Sequence, residues 1–412
     1  MGFVFGVKDS VSGILKNNFF DVRLLFLLFA TVLIVFREAD LFLNPRFWAE
    51  EGRVYFLAAY SDGFKAIFYS HQGYFSLTPN VATYLSTFLP LKLAPIPTLF
   101  FSFLATLLPS IIIIYSKSDY LNNNIAKLFA ILIVYFVFNT EEVWLNTINS
   151  QFWFVVITFL ILIENKVSVS KSRFNFYAIL IFFSGLSGVP ANLLAPFFLV
   201  KYYFEKTSTD LKLFYVLIAT ILIQLVYIII ISDHGSPRFV YDVEKIISAI
   251  KTSIFGVVYH PFAFNADVSP KFAMIFSLII VGLLIKKENF IKAAMLLTIP
   301  FFVSLIMTFT SLGMSGGGRY FFPVAVIYVM SIFYLIRTNE TSLNVRMVVY
   351  VFLISAIALG LQRYTFKPGF TTDSTWHKWE DEVEKFQNRE QDFISLYPQW
   401  KNAYWSVELP RK

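Results

Sequence analysis

The chain contains no cysteine. That excludes disulfides, thiolate nucleophiles and cysteine-built metal sites. Histidine is almost as scarce, with only His71, His234, His260 and His377. None stands at a metal-ligating spacing such as H-E-x-x-H, so neither a cofactor nor a protein-built metal site is expected. Charged residues make up only 15% of the chain. The formal net charge is +7, but no basic stretch has the clustering of a nucleic-acid site, and no nucleic-acid partner is expected. G-x-G-x-x-G and P-loop patterns are absent as well, which removes the common nucleotide-binding readings.

What is present is apolar. Of 412 residues, 57% are hydrophobic and 19% aromatic, and they gather in repeated runs; the longest can cross about 30 Å of hydrocarbon, and the shorter ones borrow flanking Tyr, Trp or snorkelling Lys. The runs lie at 22–36, 97–115, 125–138, 151–163, 176–188, 190–204, 211–231, 271–285, 290–311, 320–336 and 346–362. The first follows Lys8, Lys16 and Arg23 but precedes no small-x-small cleavage site, so it reads as a retained span with a cytoplasmic N-terminus.

Lysine and arginine sort the connections into two sets. Lys117 and Lys127; Lys166, Lys171 and Arg173; Lys201, Lys206 and Lys212; Lys286, Lys287 and Lys292; and Arg337 and Arg346 fall in alternate loops. The intervening loops 139–150 and 185–192 carry no Lys or Arg. The positive-inside rule then gives about eleven spans, N-terminus inside and C-terminus outside. Leu77 to Ala94 would invert this order if it spanned. It reads instead as a re-entrant or interfacial helix pair broken by Pro79 and Pro90. The expected fold is an all-α polytopic membrane protein. Residues 1–362 form the transmembrane domain, with a first outer loop at 37–96 and a later one at 232–270. Residues 363–412 form a small outer tail module, with an amphipathic helix in W-H-K-W-E-D-E-V-E-K-F-Q and an extended end.

On this threading the chemistry-bearing residues face outward. Glu50 and Glu51 stand among aromatics just past the first span. A partly desolvated carboxylate there suits a general base; the plainer reading is a solvated pair at a helix start. The turn G-M-S-G-G-G-R-Y offers Gly316, Gly317 and Gly318 as exposed backbone donors, Arg319 as a fixed cation and Tyr320 beside it, a cradle for a lipid phosphate. Its plainer reading is a tight interfacial loop touching headgroups.

Asn146, Asn149, Gln151 and Trp153 combine amides with a stacking face suited to sugar hydroxyls, although tryptophan also belongs at membrane interfaces. Glu141 and Glu142 form a rival acidic pair on the same side. His71 and Tyr74 in the first loop, and Arg238 and His260 in the later one, are further candidate substrate contacts.

These motifs carry a resemblance. F-W-A-E-E-G-R-V-Y-F follows the first span, and G-Y-F-S-L-T-P-N, L-N-T-I-N-S-Q-F-W, G-L-S-G-V-P-A-N, G-G-R-Y-F and a tail Y-P-Q-W come after it. Together they resemble the GT-C superfamily of polytopic glycosyltransferases. Within it they are similar to the Gtr-type serotype-converting O-antigen glucosyltransferases. The resemblance implies an inverting transferase of the bacterial inner membrane, with its site on the periplasmic side. It would move a sugar, glucose by analogy, from a polyprenyl-phosphate donor to O-antigen, lipopolysaccharide or a related glycan, with a donor synthase and a flippase acting upstream. Glu50 or Glu51 would be the base and Arg319 would meet the phosphate. Relatives often carry Glu-Asp where this chain has Glu-Glu, which leaves open which carboxylate acts. The other readings are an O-antigen polymerase or ligase, a lipid-linked sugar transporter or flippase, and a membrane scaffold. Polymerases and ligases concentrate function in later outer loops. A transporter would show repeats and mid-span charges, which this chain lacks.

Overall fold

The computed structural model describes residues 21–137, 141–165, 169–231, 242–259, 261–262, 270–311, 318–365, 377–398 and 405–410. Each of the eleven apolar runs holds a helix: α1 Val22–Arg37, α5 Ile96–Tyr115, α6 Asn124–Phe136, α7 Ser150–Ile163, α8 Lys171–Leu186, α9 Ala195–Glu205, α10 Ser208–Val226, α12 Pro270–Leu284, α13 Phe290–Phe309, α14 Gly318–Thr338 and α15 Leu343–Thr365. Five stretches among the described residues are long and apolar enough to cross a membrane: Leu91–Tyr115, Ser208–Ile231, Lys287–Phe309, Gly318–Thr338 and Leu343–Gln362.

The bundle is layered by burial. α14 is central, with every side chain from Phe321 to Ile336 buried, and α7 beside it is buried from Phe152 to Ile163. α1, α10, α12 and α15 surround this centre and turn Leu28, Leu222, Leu278 and Val351 outward. Helices that are apolar on both faces and peripheral suit a lipid surround. With no water to compete, hydroxyls hold neighbours together. Ser110 bonds Tyr135 across α5 and α6 at 2.8 Å, and Ser331 donates to the Leu296 carbonyl across α14 and α13 at 3.1 Å. Gly360 lets α15 touch the α6 backbone, because a Cβ there would overlap the Phe136 carbonyl.

The loop after the first apolar helix is folded. α2 (Ala39–Leu43) leads to a π turn at Glu51–Phe56, then α3 (Leu57–Asp62) and a 3₁₀ segment at Gly63–Phe68. β1 (Ser70–His71) and β2 (Tyr74–Phe75) form a hairpin whose turn residues, Gln72 and Gly73, both have positive φ (55° and 86°), as a two-residue type I′ turn requires. α4 (Leu77–Ser86) and a 3₁₀ turn at Leu91–Leu93 follow. The segment Leu77 to Ala94 is thus a short helix and a separate turn that Pro90 opens. Pro79 does not break it: it sits in the first turn of α4, where the missing N–H has no partner to lose.

Two elements depart from the sequence expectation or complete it. α11 (Val243–Tyr259) is an amphipathic helix inside what reads as a later loop. It packs across α13, where Ser304 donates to the Ser253 carbonyl at 3.1 Å. The tail folds as α16 (Trp379–Gln387) with an antiparallel pair, β3 (Ile394–Ser395) and β4 (Ser406–Val407). It packs on the first loop through a small core that includes Phe47, Phe56, Trp379, Val383, Leu396 and Val407. The Trp379 indole donates to the Leu91 carbonyl at 2.9 Å, and Lys92 pairs with Glu384 at 3.1 Å. Glu382 is buried at the heart of the tail. Burial opposes its charge, but donors from Lys385, Gln391 and Ser395 hold it down to about 2.

Candidate active site

The two adjacent carboxylates have different surroundings. Glu51 is buried, and three donors meet its carboxylate. The Thr147 N–H and hydroxyl each reach Oε1 at 2.5 Å, and the Trp48 N–H reaches Oε2 at 2.8 Å. It therefore ties the first outer loop to the turn before α7. Burial pushes its pKa up to about 7 against the pull of those donors, and the Glu50 charge adds to the rise.

Glu50 is half-buried and caps the π turn. Burial raises its pKa. Its own backbone N–H and the Arg319 charge pull it down, and the Glu142 charge pushes it up. The structure thus brings together Glu50 from the first loop, Glu142 from the turn before α7, and Arg319 from the first turn of α14. Arg319 is half-buried and lies over the Tyr320 ring at 5.4 Å; Tyr320 in turn packs edge-on against Phe152 at 5.5 Å. Gly318 opens α14. Gly316 and Gly317, like Arg238 and His260, lie outside the described residues.

An i→i+5 turn brings residues five apart to one side, and π turns are rare and frequently found at functional sites. Here that pairing is Glu50 and Tyr55. Tyr55 is buried, its hydroxyl is hydrogen-bonded with Ser76, and it feels the Glu50 charge. Burial lifts its pKa well above the usual tyrosine range, so it stays protonated at any working pH. Neither Tyr55 nor Ser76 is a candidate from sequence, since only the π turn puts Tyr55 beside Glu50.

His71 and Tyr74 face each other across the hairpin, and the His71 ring stands 6.0 Å from Tyr55. Gln151 donates to the Tyr74 hydroxyl at 3.3 Å, so the first-loop hairpin reaches the start of α7. Gln224 fixes that hairpin. Its amide accepts from the Phe75 N–H at 3.1 Å and donates to the Phe75 and Gly185 carbonyls, each at 3.0 Å. The sequence signal for Gln224 is a lone amide in an otherwise apolar run.

Two expected sugar contacts have other work. Trp153 is 1% exposed; its indole donates to the Val143 carbonyl at 2.7 Å, and its ring packs on Trp144 and Phe322. It holds the pre-α7 turn against the core and presents no open face for stacking. Asn149 is buried and donates to the Glu142 carbonyl at 2.6 Å, beside Asn146 at 2.7 Å. These amides shape the turn that carries Glu142.

No family model, curated protein or solved structure matches the chain. Its chemistry is therefore argued from the residues. A half-buried carboxylate with a raised pKa, a fixed cation sharing its field and a protonated tyrosine at its side can take a proton from a hydroxyl and stabilise a departing anion. Among the described residues no group of three or more His, Cys, Asp or Glu side chains is placed to hold a metal ion.

Proposed function

We propose that this protein is a polytopic, inner-membrane glycosyltransferase that takes its sugar from a polyprenyl-phosphate donor and acts at the end of the bundle where Glu50 lies. The observation that carries the reading is the division of labour between neighbours. Glu51 is saturated by three donors, whereas Glu50 is half-exposed and in electrostatic contact with Arg319.

In the reaction, Glu50 accepts the proton of the acceptor hydroxyl as that oxygen bonds to the anomeric carbon. The bond from that carbon to the phosphate oxygen breaks, and its electron pair leaves on the phosphate. Configuration inverts. Arg319 meets the growing phosphate charge. Tyr74 and Gln151 supply hydroxyl and amide contacts for the sugars. The acceptor is O-antigen, lipopolysaccharide or a related surface glycan, and the sugar is glucose. The charge pattern of the loops favours the periplasmic side for this end, with eleven spans and the tail outside. A donor synthase and a flippase then deliver the lipid-linked sugar.

The test uses purified protein with polyprenyl-phosphate glucose and a lipid-linked acceptor. Glu50→Gln should lower kcat by about 10²- to 10⁴-fold, the usual worth of a general base. Arg319→Ala should weaken donor use while acceptor KM holds. Full transfer by Glu50→Gln would overturn the assignment.

A further inference from the structure

The opposite end of the bundle holds a second feature. A cavity of about 800 Å³ opens between the end of α9, the start of α13 and the end of α14. Four lysines line it: Lys201, Lys286, Lys287 and Lys292. Lys201 is buried, donating to the Leu162 and Glu164 carbonyls at 2.8 and 2.7 Å, and Lys292 is half-buried with its ammonium 4.7 Å from the Tyr334 ring centre. Three carboxylates share the space. Glu205 pairs with Lys201 at 3.5 Å, while Glu288 and Glu340 are exposed at the rim. Lys286 reaches the Glu340 carbonyl. Lys287 and Lys292 form no ion pair among the described residues, so the cavity keeps two cations without a paired anion.

Asn289, Thr338 and Asn339 add polar groups to the lining, and its aromatic and aliphatic part is largely uncovered. Phe204, Phe290 and Ile291 are 52%, 57% and 53% exposed. The cavity also sits where two membrane-length helices end, Lys287–Phe309 at its start and Gly318–Thr338 at its finish. That is the depth of a headgroup layer. Basic pockets between helices at this level suit anionic lipid headgroups, and the exposed rings suit the acyl chains below. A small soluble anion would have no use for the apolar wall.

We propose that this cavity binds an anionic glycerophospholipid, its phosphate held by Lys287 and Lys292 and its chains laid along Phe204, Phe290 and Ile291. The site is separate from the acidic one and does not depend on the glycosyltransferase reading.

Native mass spectrometry of the full chain in mild detergent tests it, with dioleoyl phosphatidylglycerol, dioleoyl phosphatidylcholine and inorganic phosphate as the three probes. Phosphatidylglycerol should form a resolved one-to-one adduct at a concentration several-fold below that needed for phosphatidylcholine. Lys287→Ala alone, an exposed change, should weaken the adduct about fivefold, and Lys287→Ala with Lys292→Ala about 25-fold, at about 1 kcal/mol per lysine near a charged lipid surface. Lys65→Ala, an exposed lysine in the first loop, should leave it unchanged. Equal binding of the two lipids, wild-type binding by the double variant, or displacement of the lipid by millimolar phosphate would each overturn the proposal; the last would mark a small-anion site.

Discussion

Glu51 gives the sharpest test, because its role in stability separates from the chemistry assigned to its neighbour. Truncation by Glu51→Ala removes the acceptor for two backbone N–H groups, those of Trp48 and Thr147. The Thr147 hydroxyl can rotate to another partner, but the backbone donors have no such freedom. A buried donor left without a partner costs about 1–3 kcal/mol, so the loss should be about 2–6 kcal/mol. Glu51→Gln keeps an oxygen for Thr147 and turns an amide N–H₂ toward the Trp48 N–H, a cost nearer 1–2 kcal/mol.

The pH dependence then carries the argument further. Glu51 rises to about 7 in the folded state, above the 4.5 of an unhindered glutamate. A carboxyl raised on folding contributes stability in full below its unfolded pKa and loses it as pH climbs through the folded value. Between about pH 4.5 and 7 the wild type should therefore lose about 3 kcal/mol that Glu51→Gln does not lose. Apparent melting temperatures in detergent, taken at one scan rate from pH 5 to 8, read this directly. The glutamine variant should melt below wild type at pH 5 and close or reverse that gap by pH 8. A constant gap across that range, or an alanine variant that melts with wild type, would refute the buried-anchor reasoning.

The proposed mechanism predicts an acid limb of transfer that responds to the neighbours of Glu50. That mechanism needs the ionised form of Glu50, and the Arg319 charge favours that form, so Arg319→Lys should keep the limb near its place while Arg319→Ala moves it to higher pH. Glu142→Gln should move it to lower pH, since the Glu142 charge opposes ionisation. A pH–rate profile of kcat that ignores both changes would count against Glu50 as the titrating base. Where the first loop packs on the tail, Gly52→Ala should destabilise by about 1–3 kcal/mol, because a Cβ there overlaps the Leu396 side chain. Leu396→Ala should make room and recover part of that loss, which a double-mutant melting cycle would show; strict additivity would mean that the two residues do not meet.

Local patterns carried most of the fold. The apolar runs fixed the helices because burial in lipid and helix formation reward the same stretch of residues. The tail helix Trp379–Gln387 was readable from its spacing. α11 was not, since its 17 residues mix Glu244, Lys245 and Lys251 with isoleucines and fall short of a span. Pro79 misled as a breaker because sequence alone does not say where a helix begins. The site was legible only in part. The acidic pair and Arg319 stand out by composition, but what distinguishes Glu50 from Glu51 is Thr147, 96 residues away. Trp153 shows the same limit from the other side: an aromatic ring beside amides looks like a sugar platform until the Val143 carbonyl and two neighbouring rings claim it.

The tail bears on the same chemistry. The Ala49 N–H donates to the Tyr397 carbonyl at 2.5 Å, Trp48 bridges to Tyr397, and the Arg46 guanidinium lies over the Tyr397 ring at 4.2 Å while pairing with Asp40 at 2.7 Å. These contacts grip the chain on the residues just before Glu50. Glu51 grips it just after, through Thr147. The backbone that carries Glu50 is thus held on both sides, which fixes where its side chain starts relative to Arg319. That restraint is what a general base requires, because proton transfer rewards a group already placed within hydrogen-bond reach of the acceptor. On this view the second glutamate and the tail are one device. Each costs buried polar groups or an ordered segment, and the common return is the fixed position of Glu50.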